Sequence, residues 1–158
     1  SANMHSVMNS IFAEPVIANE AALLMSVLVE HGGKNKVLKL KAKLDNFTYC
    51  PDSDELTLND LKTSGHYLTK FGESFDKYHY ARQMAMYMWM LKLYIENTYK
   101  VKPSLKANML VVSTVPDFRS GVYPVTNGHM KEGFLEFTKL LRMVAYYELY
   151  GYDADGIL

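Results

Sequence analysis

The sequence predicts an α/β domain with a mixed central β-sheet flanked by helices, and three observations carry that prediction. A run rich in Leu and Val before Gly32 and Gly33 and an arm of alternating apolar and polar residues after them give the pattern of a β-hairpin. Residues 75–97 contain no Gly or Pro and are rich in Met, Leu, Tyr and Ala, which favours one long helix. The run MLVVSTV at 109–115, between Pro103 and Pro116, reads as a buried strand.

Taken in chain order, residues 7–17 are apolar with small polar interruptions and Pro15 near the end, which suits a short helix followed by a turn. LLMSVLVE at 23–30 is a first strand, His31-Gly32-Gly33-Lys34 a turn, and 37–49 a second strand. In the second strand Lys39, Lys41 and Lys43 alternate with Leu38, Leu40, Ala42 and Leu44, a period of two that belongs to a strand with one buried face. Pro51-Asp52-Ser53-Asp54 supplies another turn and ELTLNDLK at 55–62 a third strand. The helix over 75–97 and the strand over 109–115 follow. Residues 116–121 turn and 122–125 form a short edge piece. A last helix covers 131–150, with Gly151 as its stop. There is no internal repeat, low-complexity tract or linker.

A chain of 158 residues, 49% of them apolar, is enough for one domain with a hydrophobic core and too short for two comfortable ones. Acidic and basic residues balance at 17 each, which removes a broad positive field as an argument for nucleic-acid binding, so any DNA surface has to be local. The single cysteine, Cys50, allows no internal disulfide and no cysteine metal cluster, consistent with a reducing, cytoplasmic setting. The longest uncharged apolar run, 21–29, falls far short of the roughly 20 residues that span a bilayer, and no membrane association is expected. Ser1, Ala2 and Asn3 ahead of Met4 read as a cloning remnant, and the chain reads as a fragment of a longer protein.

The chemistry lies in the register. If the second and third strands pair symmetrically about Asp52 and Ser53, Asp45 faces Asp60. Directly opposed residues share a face with Cβ atoms about 4.5–5.5 Å apart, where like charges repel unless a cation lies between them. Lys62, two residues beyond Asp60, emerges on the same face. Two carboxylates and a lysine suit phosphodiester hydrolysis: oxygen ligands hold Mg²⁺, which polarises phosphoryl oxygens and activates water, and the lysine orients water or stabilises developing charge. A bare Asp-x-Lys tripeptide is by itself far more often a solvated strand edge with a surface Asp-Lys pair, and it is the opposed Asp45 that weighs against that reading. Symmetry about Gly32 and Gly33 likewise places Glu20 opposite Asp45, a candidate third carboxylate.

The succession KLDNF, then NDLKTS, then a helix reading YHYARQMAMY, resembles motifs of the PD-(D/E)xK nucleases, particularly the exonuclease VIII (RecE) and lambda-type phage recombination exonucleases. The resemblance continues through LVVSTV, GVYPV and the final helix, covering about 20–149. It implies a restriction-endonuclease-like core as a single domain over 4–158, with Asp45 and Asp60 as metal ligands, the Leu61 carbonyl as another, Lys62 as catalytic and Gln83 as the glutamine of the helix motif. It also implies Mg²⁺, with Mn²⁺ able to substitute, and exonuclease digestion of linear double-stranded DNA in recombination. A homo-oligomer of the full-length protein and a single-strand annealing partner belong to the same expectation. Members of the group carry a further ligand, often a histidine, on a helix upstream of the first strand, and this chain has little sequence there. His5 stands at no convincing spacing, and His31, His66, His79 and His129 show no ligand spacing.

Other features stay open. Tyr80, Gln83 and Tyr87 share one helix face, where tyrosines pack in a core before they contact DNA, and where an amide facing the sheet needs a polar partner. Lys34, Lys36, Lys39, Lys41 and Lys43 suit phosphates or a charged solvent face equally. Met84, Met86, Met88 and Met90 fall on several sides of the helix and read as core filling. Besides a nuclease, the sequence admits an inactive nuclease-fold DNA-binding module and a structural protein of a phage or mobile element.

Overall fold

The computed structural model describes residues 16–151. The elements run β1 (Val16–His31), β2 (Lys34–Cys50), β3 (Glu55–Ser64), a single 3₁₀ turn (Leu68–Lys70), α1 (Phe71–Lys77), α2 (Tyr80–Tyr99), β4 (Ser104–Ser113), β5 (Ser120–Val125) and α3 (Asn127–Tyr150). The five strands form one sheet in chain order, antiparallel except for the parallel pair β3–β4. The helix-bearing connection from β3 to β4 is what a parallel neighbour requires. The expected α/β class with a mixed sheet is therefore the observed one.

β1 and β2 pair symmetrically about Gly32 and Gly33, from His31↔Lys34 out to Val16↔Tyr49. Both glycines have positive φ, 58° and 77°, which a two-residue hairpin turn needs and other residues resist. β2 and β3 pair symmetrically about Asp52 and Ser53, from Cys50↔Glu55 to Asn46↔Asn59. The core lies on one sheet face, where Ala42, Leu44, Phe47, Leu56, Leu58, Met109 and Val111 meet Met84, Met88, Leu91 and Ile95 of α2. The opposite face is open, with Leu24, Leu28, Val37, Leu61 and Val122 exposed.

Several expected boundaries move. Of the helix expected over 7–17, residues 7–15 lie outside the described residues, and Val16 and Ile17 are strand, because they extend the hairpin against Tyr49 and Thr48. The helix expected over 75–97 is two helices. His79 adopts a left-handed conformation, φ 54°, so Phe75 and Phe71 of α1 both pack against the Tyr80 ring that opens α2. β4 begins at Ser104 and not at 109, since Ser104–Asn108, unremarkable in strand propensity, are drawn into the sheet by parallel pairing with Glu55–Asn59. Thr114 and Val115 fall beyond it. α3 begins four residues before 131: Thr126 accepts the His129 N–H and the His129 ring accepts the Thr126 N–H, a reciprocal cap with histidine where Glu or Gln is usual. At its far end the Gly151 N–H donates to the Tyr147 carbonyl.

α2 and α3 approach closely at Gly133. A Cβ there would overlap the Ala81 carbonyl and the Arg82 nitrogen, so only glycine fits. This contact holds α3 over the start of α2, the end of the helix that reaches the carboxylates.

Candidate active site

Asp60 lies on the core face of β3 and is 3% exposed. Lys62, two residues along the same face, puts its Nζ 3.0 Å from Asp60 Oδ2 and 4.7 Å from the centre of the Tyr80 ring. Tyr80, the first residue of α2, thus forms the wall against which the lysine rests, a cation–π contact. The ammonium is in ion-pair contact with Oδ2, a buried oxygen that has no other donor among the described residues.

Asp45 reaches the same place by a break in the sheet. Buried positions of β2 are Leu38, Ala42 and Leu44, then Phe47 and Tyr49, so the inward parity changes between Leu44 and Phe47. There the β1–β2 ladder omits one residue on each strand, Glu20 and Asp45, and resumes in the same register. Glu20 has φ 53°. The β2–β3 ladder ends at Asn46↔Asn59, and beyond it the Leu61 N–H donates to Asp45 Oδ2 at 2.7 Å in place of a backbone partner.

Burial pushes the Asp60 carboxyl above the usual 3.8; Lys62 opposes that shift and the Asp45 carboxylate adds to it. Two neighbouring carboxylates, one of them buried with a single ammonium against it, are a donor set a small divalent cation would complete. Mg²⁺ is commonly held by one or two carboxylates plus substrate phosphate, so the pair fits it.

The structure therefore brings together Asp45, Asp60, Lys62 and Tyr80, with the Leu61 backbone N–H engaged by Asp45. It does not gather a third acidic or imidazole ligand: among the described residues no group of three or more His, Cys, Asp or Glu side chains is placed to hold a metal, and Glu20 is exposed. Gln83 is half-buried and makes no side-chain hydrogen bond among the described residues. Lys39, Lys41 and Lys43 are exposed on the sheet face opposite the core, whereas Asp60 and Lys62 face the helices. A cavity of about 480 Å³ lined by Ala85, Met88, Trp89, Leu105, Met130 and Phe134 contains none of the carboxylates. Sequence reading missed the four asparagines that flank the acid pair; the signal was available, since Asn46 adjoins Asp45 and Asn59 adjoins Asp60.

No family model matches the sequence, and no curated protein matches it. Among solved structures it is similar to a protein from Eubacterium rectale whose crystal structure is described as a "Putative exonuclease", with a TM-score of 0.51 and 16% identity over 90% of this chain and 49% of that one. The chain spans about half the length of that protein. At this identity the likeness establishes a shared α/β fold, and the roles of individual residues rest on the geometry above. No helix among the described residues is long and apolar enough to cross a membrane.

Proposed function

We propose that this chain is the core of a Mg²⁺-dependent deoxyribonuclease, an exonuclease acting on linear double-stranded DNA. The observation that carries the reading is Asp60: a carboxylate buried beside a second carboxylate, with the Lys62 ammonium at 3.0 Å and no other donor to that oxygen among the described residues. Burial and the Asp45 carboxylate hold the Asp60 carboxyl above its ordinary value even with the Lys62 ammonium against it, so one ammonium does not offset the pair. Asp45 and Asp60 would hold the metal, which when bound supplies Lewis-acid activation of water and phosphate. Lys62, poised at the same spot, supplies positive charge toward the phosphate, and Tyr80 limits where its ammonium can go. The likeness in fold to a protein described as a "Putative exonuclease" is in keeping with this class; DNA as substrate and Mn²⁺ as an alternative ion are part of the proposal.

The test uses the full-length protein with linear duplex and covalently closed circular DNA of equal length at matched Mg²⁺. Degradation of the linear form alone is expected. Rapid cutting of the circle would make it an endonuclease, and no cleavage with either Mg²⁺ or Mn²⁺ would sink the enzyme. One observation favours a second reading, a DNA-binding module without activity: no third side-chain ligand joins the pair among the described residues. DNA binding without cleavage is its signature.

A further inference from the structure

Asn19, Asn46, Asn59 and Asn108 occupy one rung across four strands, as the pairs Asn19↔Asn46, Asn46↔Asn59 and Asn59↔Asn108. Their side chains are linked head to tail. Asn46 Nδ2 donates to Asn19 Oδ1 at 2.8 Å, Asn59 Nδ2 to Asn46 Oδ1 at 2.8 Å, and Asn108 Nδ2 to Asn59 Oδ1 at 3.3 Å. Asparagine is depleted in strands, so four on one rung need a reason. Their location supplies it. Asn46 and Asn59 form the last β2–β3 pair before the strands part, and Asn19↔Asn46 is the last β1–β2 pair before the ladder omits Glu20 and Asp45. One residue further on, Asp45 turns in to take the Leu61 N–H beside Asp60.

We propose that this asparagine ladder is the positioning device of the acid pair: by tying four strands at the rung next to Asp45 and Asp60, it sets where β2 leaves β3 and hence how the two carboxylates meet. The proposal rests on the nuclease reading for its purpose, but its geometry does not. Asn46 and Asn59 each both give and accept a hydrogen bond, while Asn19 accepts and Asn108 donates at the ends, and this chain fixes the lateral spacing of the strands; an apolar row would leave it free to slide. Asn59 is one of the two inner members, with a partner on each side, and it is the one on the strand that carries Asp60. The residues are positioning residues, since none of them approaches the carboxylate oxygens through a hydrogen bond.

The experiment compares Asn59→Leu with Thr57→Ala, a substitution on the same strand and face outside the ladder, at a temperature equally far below each variant's Tm. Two quantities are read on the chain: hydrogen exchange of the Leu61 amide without metal, and Mn²⁺ affinity by calorimetry. Asn59→Leu is expected to speed Leu61 exchange at least tenfold and to weaken Mn²⁺ binding about 10–100-fold, the usual effect of losing a group that orients a ligand; Thr57→Ala should change neither. Wild-type Leu61 protection in Asn59→Leu overturns the proposal. Should the parent chain bind no Mn²⁺, the nuclease reading falls, while the Leu61 result still decides the ladder. Asn59→Thr, which keeps a good strand former but cannot span both neighbours, takes the place of Asn59→Leu if the latter does not fold, with the same two outcomes.

Discussion

At the scale of single residues, Asp60 sets function against stability. Its carboxyl is held above the ordinary value chiefly by burial, so the folded state binds its proton more tightly than the unfolded chain does. The cost of ionising it is absent below about pH 4, the unfolded value, and grows as pH rises through the raised folded value. Asp60→Asn should therefore raise Tm at pH 7, by about 2–4 °C for each 1 kcal/mol recovered in a chain of this size, with the gain vanishing near pH 4. Calorimetric scans across that range check it; a Tm at pH 7 equal to or below that of the parent would refute the sign. Lys62→Ala is the complementary case. The lysine stands at the carboxylate without being a ligand, so Mn²⁺ binding should survive while single-turnover DNA cleavage falls about 10²–10³-fold. Unchanged cleavage would remove Lys62 from the chemistry.

Between elements, the decisive contact is the crossing of α2 and α3 at Gly133. Because an added methyl would overlap main-chain atoms of Ala81 and Arg82, and not a flexible side-chain end, the helices must separate to admit it. Gly133→Ala should cost about 1–3 kcal/mol or more despite alanine's better helix propensity, read from urea denaturation midpoints. A midpoint at or above the parent's would mean that the helices separate at little cost. The same crossing sits one turn from Tyr80, so loss of cleavage should accompany loss of stability. At the other side of the sheet, the double omission of Glu20 and Asp45 from the β1–β2 ladder changes the inward parity of β2 without changing register, and it is this break that brings a carboxylate between two otherwise regular strands to the site.

Over the whole molecule, charges balance and the local distribution matters. Lys39, Lys41 and Lys43 stand on alternate positions of β2, about 6.6–6.8 Å apart by strand rise, on the open face of the sheet. Replacing all three by Gln should leave Mg²⁺-dependent hydrolysis of a saturating short oligonucleotide intact while lowering the magnitude of the salt slope of duplex binding by about 0.9 per lost phosphate contact. An identical salt slope would make them a solvated face. Because they lie on the face opposite Asp60 and Lys62, any DNA bound both there and at Asp45 and Asp60 would have to reach from one face of the sheet to the other.

What the sequence by itself determined were the features governed by local physics. Alternation along 37–44 marked the strand, Gly32 and Gly33 its turn, and symmetry about both turns gave the registers of the two ladders; that Asp45 turns in toward Asp60 was decided by the break at Glu20 and Asp45, which strict alternation does not contain. Those readings depend only on the period of a strand and on which residues tolerate positive φ. The helix break at His79, the early start of β4 and the Thr126 to His129 cap were hidden because packing or partner strands decide them: no Gly or Pro marks the break, and Ser104–Asn108 become strand only beside β3. The tertiary structure alone decided that the lysine row lies across the sheet from Lys62, that Tyr80 backs the lysine, and that four asparagines distant in sequence align. Each of these depends on long-range pairing, which a pattern read along one chain cannot contain.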